Sequence, residues 1–316
     1  MGFYYELFMY KILLNPDIVS LDSAVVTIGN FDGLHLGHLE LFKTLNIVAK
    51  KYNYKRVAIT FEPLPLEHFS DIKKEERLSR LSLLRDKFLL LKKNDLIDEL
   101  VVLHFNSRIA NLSPKAFIKE VLLNKLNTSH VVIGHDFKFG KNGGGKINDF
   151  VKLGLEITLV EPFCINTERI SSSIIRNLAT KNDLTLIRNY LGHNLQYTSR
   201  VIHGKKLGRK LGVPTINLSL GRNKPALWGI YTAYIYIDNK RYNAVASIGK
   251  NPTVSDLDTY KLEGHLLDVD LDLYGKIATI EILGFIRDEL KFNDIDSLIR
   301  QMQKDLQQAR AYFKEN

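Results

Sequence analysis

The chain has 316 residues, 45% of them hydrophobic and 25% charged, with a formal net charge of +9. That length suits two domains, each with its own core. The single cysteine, Cys164, excludes an internal disulfide and a multi-cysteine metal site, and no apolar stretch is long enough to span a bilayer.

The opening segment, MGFYYELFMYKILL, is apolar and aromatic but is interrupted by Glu6 and Lys11. It lacks a basic start and a small-residue cleavage site, so it does not read as a signal peptide, and the cytoplasm is the expected address. Met9 is an alternative start to Met1. The positive charge raises a nucleic-acid partner. The lysines, however, are dispersed in short clusters such as Lys50-Lys51, Lys73-Lys74 and Lys205-Lys206, with no DNA- or RNA-binding motif. A lysine-rich surface is expected instead, with small molecules as partners and neither nucleic acid nor membrane. Cys164 is expected to be a small buried hydrophobe.

An apolar run, Ala24–Ile28, then enters Gly29–His38, read as GNFDGLHLGH, and a helical pattern over 37–50 follows. A strand thus runs through a glycine-rich turn into a helix. Such a turn gathers backbone N–H groups at the positive end of a helix dipole. His35 and His38 are three residues apart and can face one ligand together. Gly37 between them has no side chain to keep a phosphate away. An HxxH pair alone is weak evidence. With Gly29, Phe31, Asp32, Gly33, His35, Gly37 and His38 all fixed, a chance match is on the order of 10⁻⁷.

Strand-like runs at Arg56–Phe61, Leu100–Phe105, His130–Ile133 and Glu156–Val160 alternate with helical patterns over 78–92, 114–126 and 146–153. That alternation predicts a doubly wound α/β domain with a parallel sheet, and ligands beyond the carboxyl ends of its strands. The GNFDGLHLGH turn, Glu62-Pro63 and Gly134-His135-Asp136-Phe137 all fall there. Phe61–Pro65 leaves its strand as a proline-stiffened loop. Residues 140–147 (GKNGGGKI) imitate a P-loop, but Ile147 replaces the Ser/Thr that would hold Mg²⁺, so they read as a flexible glycine loop. Ile170–Arg176 (ISSSIIR) opens a helix with serines, ordinary N-cap residues. A helix over 178–192 ends at Gly192, and Asn194–Ser199 reads as a linker.

Beyond it, strand-like segments follow closely over 199–203, 215–218, 230–237, 242–248, 262–267 and 277–286, with one amphipathic helix over 294–313. This predicts a small antiparallel barrel closed by a C-terminal helix. At its entry, VIHGKKLGRKLGVPTIN places Gly204, Gly208 and Gly212 at intervals of four among Lys205, Lys206, Arg209 and Lys210. Glycine admits phosphate close to the backbone and the cations neutralise it. As composition alone, a solvated basic turn fits as well.

GNFDGLHLGH resembles the HxGH signature of nucleotidylyltransferases. With its leading GNFDG it resembles the adenylyltransferase half of bacterial bifunctional riboflavin kinase/FMN adenylyltransferases, also called FAD synthetases. GHDFKFG (134–140) resembles that family's second motif, and ISSSIIR its ISSTxIR motif, with Ser173 for threonine. The family's FEPHP reads FEPLP here, so Leu64 cannot inherit a role from the usual histidine. The resemblance implies in-line attack of the FMN phosphate on the α-phosphorus of ATP, helped by positioning and electrostatics. It assigns His35, His38 and Arg176 to adenylyl transfer. It assigns Gly29, Asn30, Phe31, Gly37, Ser171 and Ser172 to ATP, and Phe61, Pro63 and Asp136 to the flavin.

In the second half, residues 204–217 resemble the riboflavin kinase motif GxxLGRxLGFPTAN, with Val213 for Phe and Ile216 for Ala. The resemblance assigns Gly204, Gly208, Arg209 and Gly212 to ATP, and Thr215 and Asn217 to Mg²⁺. Strand alternation turns Ile216 away from those two, toward the core. Trp228-Gly229-Ile230-Tyr231 resembles PxGVY with Trp228 for proline, and Ser247–Thr253 (SIGKNPT) a vGxxPT turn. Glu263, in LEGHLLDVDLDLYGK, matches the general base for the riboflavin 5′-hydroxyl. Arg287 matches an arginine near the flavin, Asp288 and Glu289 are expected to face solvent, and Asp305 fits the pattern without a derivable role. The expected organisation is therefore an adenylyltransferase domain over 1–186 and a kinase domain over 187–316, with ATP as co-substrate of both. Two alternatives stand beside it: one activity retained with the kinase half weakened, or a non-catalytic flavin- or nucleic-acid-binding regulator.

Overall fold

The computed structural model describes residues 11–14, 23–204, 213–250, 259–269, 271 and 273–315. Gly208, Arg209, Gly212 and the Asn251-Pro252-Thr253 end of SIGKNPT lie outside the described residues. By contact the chain divides into two units. One comprises residues to Leu78 with Lys87–Ser171, the other Ser79–Asp86 with the chain from Ser172 onward.

The first unit holds β1 (Lys11–Leu14), β2 (Ala24–Ile28), β3 (Lys55–Glu62), β4 (Glu99–His104), β5 (Thr128–Gly134) and β6 (Glu156–Val160). They form one parallel sheet in the order β1-β4-β3-β2-β5-β6. All five side chains of β2 are buried, so both faces of the sheet are covered there. The strand order runs one way from β2 through β3 and β4, and the other way through β5 and β6. The switch point therefore lies between the carboxyl ends of β2 and β5, where open α/β sheets bind ligands. GNFDGLHLGH leaves one of those ends and GHDFKFG the other.

Helix α1 (Leu36–Tyr52) buries Leu41, Phe42, Leu45, Val48 and Ala49, a 3.6-residue period, and stops at Asn53 in the left-handed conformation. Helix α2 (Pro65–Lys73) was not evident in the sequence. It starts because Glu67 accepts the Leu64 N–H at 2.9 Å and Pro65 suits a first turn. The expected helix over 78–92 is shorter: α3 spans Leu84–Lys93. Residues before it are extended, with the Arg80 N–H donating to the Lys224 carbonyl at 2.7 Å and the Ala226 N–H to the Arg80 carbonyl at 3.0 Å. The helix expected over 114–126 begins as α4 (Pro114–Phe117) and widens into a π-helix, Ile118–Leu123. The glycine loop leads into α5 (Ile147–Val151), whose start is capped by Asp149. A hairpin of β7 (Cys164–Ile165) and β8 (Glu168–Arg169) follows β6. Cys164 on it is exposed, not buried, because this two-stranded hairpin stands apart from the six-stranded sheet.

The second unit begins with α6 (Ser172–Thr180) and α7 (Leu184–Leu191). Asn182 at φ +53° and the Asp183 cap on the Leu186 N–H (3.0 Å) separate what the sequence reads as one helix over 178–192. Gly192, left-handed, ends α7 as expected. The expected linker at Asn194–Ser199 is instead the start of a strand. Strands β9 (Gln196–Ile202), β10 (Ile216–Gly221), β11 (Gly229–Ile237), β12 (Lys240–Lys250), β13 (Tyr260–Leu266) and β14 (Ile277–Arg287) close into an antiparallel barrel, ordered β10-β13-β12-β11-β14-β9. Asn194 is tied to Glu281 of β14 at 2.7 Å, and Tyr197 packs fully buried. The final helix, α8, is Ile295–Glu315; its Leu306 and Ala309 pack with Val213 and Leu267.

Candidate active sites

In the first unit, the strand ends fix the turn. The Gly29 N–H donates to the Ile59 carbonyl at 3.0 Å, and the Thr60 hydroxyl to the Asn30 carbonyl at 3.3 Å. A side chain at Gly29 would strike the Phe31 ring, since a Cβ there lies 2.8 Å from it. Phe31 itself is core. Its ring lies edge-on to His38 (5.4 Å) and against Phe42 (5.0 Å), and the residue is buried.

His35 caps α1: its Nδ1 accepts the His38 N–H at 3.3 Å. That bond leaves the proton of neutral His35 on Nε2. The two imidazoles stack at 3.6 Å, and Gly37 admits the His35 ring, whose Nδ1 is 3.2 Å from where a Cβ would stand. Burial, then His35, then Lys87 hold His38 well below the ordinary histidine pKa. Its buried Nδ1 has no hydrogen-bond partner among the described residues. A neutral His38 beside His35 at a helix N-terminus places ring N–H donors where phosphate oxygens would lie.

At the β3 end, the Glu62–Pro63 peptide is cis and Leu64 is buried. Phe61 packs edge-on to Phe105 (5.6 Å), and His68 and Phe69 join the same cluster through Phe105. The sequence reading missed these three; an aromatic just past β4 and a His-Phe pair on a short helix are weak signals alone. At the β5 end, Asp136 accepts from Arg169 of β8 at 2.5 Å. Burial pushes its carboxyl up, but Arg169 outweighs that and holds it below the ordinary aspartate value. Gly29, Asn30, Gly37, His35, His38, Phe61, Pro63 and Asp136 thus share the carboxyl ends of neighbouring strands β3, β2 and β5. Ser171 closes the first unit, and Ser172 and Arg176 stand on α6 of the second. The Arg176 Nε donates to the Ser79 carbonyl at 2.7 Å.

In the second unit, the barrel register builds the other site. Asn217 pairs with Glu263, and Glu263 pairs with Ser247, so the three form one row across β10, β13 and β12. Lys261 lies 3.4 Å from Glu263 Oε1. Ile216 points inward and is buried, as alternation predicts. It pairs with Gly264, where a Cβ would lie 2.5 Å from Ile235 and 3.4 Å from Ile216. The glycine releases the volume that the larger isoleucine takes up. Val213 is core, and Trp228 lies edge-on to Tyr260 at 5.6 Å. Gly204 approaches the Asn217 carboxamide so closely that a Cβ would collide with Nδ2 and stand 2.7 Å from Oδ1. A cleft lined by Gly204, Thr215, Asn217 and Tyr274 opens beside it.

Arg287 and Asp305 explain each other. The Arg287 Nε donates to Asp305 Oδ1 (2.9 Å), Nη2 to Oδ2 (2.7 Å) and Nη1 to the Asp288 carbonyl (2.8 Å). This fork ties α8 to the end of β14. Asp305→Ala should lower the barrel's unfolding free energy by about 3 kcal/mol, because it strands a half-buried cation. Denaturant unfolding checks this, with Asp305→Asn expected to cost less. Asp288 and Glu289 are exposed, as expected, and the Glu289 carboxylate lies over Gly249.

Among the described residues no helix is long and apolar enough to cross a membrane. The FAD synthetase family matches residues 18–174, and the riboflavin kinase family residues 191–313. The bifunctional riboflavin kinase/FMN adenylyltransferase of Haemophilus influenzae is 36% identical over 93% of this chain and 95% of its own length. The Escherichia coli K12 protein of the same description is 36% identical over 92% and 93%. The crystal structure of a macrolide-efflux protein from Streptococcus pneumoniae superposes with a TM-score of 0.75 at 30% identity, covering 96% of this chain and 99% of that one.

Proposed function

Because the chain belongs to the bifunctional riboflavin kinase/FMN adenylyltransferase family, we propose that its two sites divide the two reactions between the barrel and the parallel sheet. The enzyme phosphorylates riboflavin with ATP to FMN, and adenylylates FMN with a second ATP to FAD, releasing pyrophosphate. We place the adenylyltransferase domain over 1–186 and the kinase domain over 187–316.

One observation supports the residue roles above others: each motif lands where its own fold offers a site. The stacked His35–His38 pair is at the switch point of the sheet, and Glu263 is in register with Asn217 on the barrel. In the adenylyl step His35, His38 and Arg176 donate to the phosphates as charge moves onto them. A charge-assisted hydrogen bond of this kind is worth roughly 1.5–3 kcal/mol. Ser171, Ser172 and the backbone at Gly29, Asn30, Phe31 and Gly37 hold ATP. Phe61 with its aromatic neighbours, Pro63 and Asp136 take the flavin. Arg169 already pairs with Asp136, so flavin contact there shares or displaces that partner.

In the kinase step Glu263 removes the proton of the riboflavin 5′-hydroxyl as its oxygen attacks the γ-phosphorus of ATP, the bond to the β-phosphate oxygen breaks and ADP leaves. Thr215 and Asn217 offer a hydroxyl and a carboxamide oxygen, hard donors that suit Mg²⁺ with waters completing the shell. Both residues line the cleft beside Gly204, where such an ion would reach them. Bound there, Mg²⁺ would neutralise phosphate charge. Gly204, Gly208, Arg209 and Gly212 hold the ATP phosphates. With its fork committed to Asp305, Arg287 serves the flavin by fixing the β14 end. A cytoplasmic address agrees with ATP as co-substrate and with a single, unpaired cysteine.

Purified protein given riboflavin, ATP and Mg²⁺ is expected to yield FAD with FMN as an intermediate, read by chromatography. FMN alone would leave only the kinase, and FAD from supplied FMN alone would leave only the adenylyltransferase. No product in either case would favour a binder. The burial of Ile216 against Gly264 and of Val213 in the core speaks against a weakened kinase, since both substitutions are absorbed by packing.

A further inference from the structure

Strand β10 begins at Ile216, which pairs with Gly264 of β13. The same register would next place Thr215 opposite His265 and Pro214 opposite Leu266. Pro214 has no N–H to offer a ladder, so its carbonyl stands beyond the last rung. The His265 side chain takes it up: Nδ1–H donates to the Pro214 carbonyl at 2.7 Å. A carbonyl can only accept, so the proton is on Nδ1. The bond fixes the middle of a short run whose ends are fixed by packing. Val213 is buried with Leu267, Leu306 and Ala309, and Ile216 is buried opposite Gly264 inside the barrel. Between them Thr215 lines the cleft with Gly204, Pro214 and Asn217. Val245, opposite His265 on β12, packs on the Val213 cluster, so the imidazole has a fixed neighbour of its own.

We propose that His265 is a positioning residue of the kinase step: its imidazole supplies the rung that Pro214 cannot, and so fixes the Thr215 hydroxyl relative to Asn217. The inference rests on the reading above in which Thr215 and Asn217 serve the Mg²⁺ that accompanies ATP. Mg²⁺ demands near-ideal octahedral geometry, so two protein oxygens that share it must keep a set separation. Asn217 lies inside the ladder, held opposite Glu263. Thr215 lies outside it, and its place depends on how the preceding residue is tied. The hydrogen bond from His265 to Pro214 extends the hold of β13 by the two residues that the backbone pairing does not reach.

The test uses the full-length enzyme. His265→Leu, which keeps bulk and loses the donor, should raise the kinase KM for ATP with Mg²⁺ about tenfold, with KM for riboflavin unchanged. His265→Phe should match it. His265→Asn, whose amide can place a donor where Nδ1 stood, should stay within about twofold of the parent. Calorimetric titration with ADP and Mg²⁺ reads the loss without turnover: His265→Leu should weaken, about tenfold, the binding step that Thr215→Val also weakens. In the double variant the two losses should not add, because both act through one hydroxyl. Adenylylation of supplied FMN and an unchanged KM for riboflavin report that both halves are folded. Additive losses, an unchanged ATP affinity in His265→Leu, or a His265→Asn variant as impaired as His265→Leu would overturn the proposal. Thr215→Val separates the two layers. If it weakens ATP binding while His265→Leu is normal, only this inference falls. If Thr215→Val binds and turns over ATP normally, the assignment of Thr215 falls and this inference with it.

Discussion

Replacing His38 by alanine is expected to lower FAD formation from FMN by about 10²–10³-fold, the cost of removing one preorganised donor to developing negative charge. FMN formation from riboflavin should be unchanged. The expectation follows from how the imidazole is held. It stacks on His35 at 3.6 Å, rests edge-on against Phe31, and is kept neutral by burial, by His35 and by Lys87. A donor fixed this way loses nothing to reorganisation when charge shifts between phosphate oxygens. The same environment sets a sign for stability. The folded unit binds the His38 proton more weakly than the unfolded chain does. The contribution is therefore present above about pH 6.5 and is lost as pH falls from there through the folded value. Undiminished FMN adenylylation in His38→Ala would remove His38 from the mechanism.

What the sequence displayed was whatever its local period and turn chemistry determine. Strand β2 and strand β6 fall where their apolar runs lie, and Ile216 faces the core because alternation leaves it no other side. What it hid was decided by distant partners. Residues 78–83 have a helical pattern, yet the backbone of Arg80 pairs with Lys224 and Ala226, more than a hundred positions away, and that pairing outweighs local propensity. Asp305 offered no chemistry in a polar helix; its role exists only because Arg287 arrives from another strand with a matching fork. Glu289 is exposed, as its polar surroundings predict, but only the structure shows its carboxylate over Gly249, forty residues earlier. The motifs were legible because phosphate chemistry needs glycine, imidazole and hydroxyl at fixed local spacing. Their supporting residues were not, because support comes from whichever element packs behind.

Glu263→Gln is expected to abolish riboflavin phosphorylation, a loss of about 10²–10⁴-fold for removal of a general base, while supplied FMN is still converted to FAD. Glutamine keeps the size and a carbonyl acceptor, so the barrel should remain folded and the loss should appear in kcat rather than in KM. The register explains why this position and not a neighbour carries the proton. Glu263 alternates outward on β13, between the oxygen donor Asn217 on one side and Ser247 on the other. Lys261, two residues back on the same face, orients its carboxylate at 3.4 Å. His265, two residues on, is already bound to the Pro214 carbonyl at 2.7 Å and is held below the ordinary histidine pKa by burial. The two reactions are assayed separately in one chain, so each variant carries its own control: His38→Ala must keep the kinase, and Glu263→Gln must keep the adenylyltransferase. Kinase turnover surviving in Glu263→Gln would show that the hydroxyl proton leaves by another route.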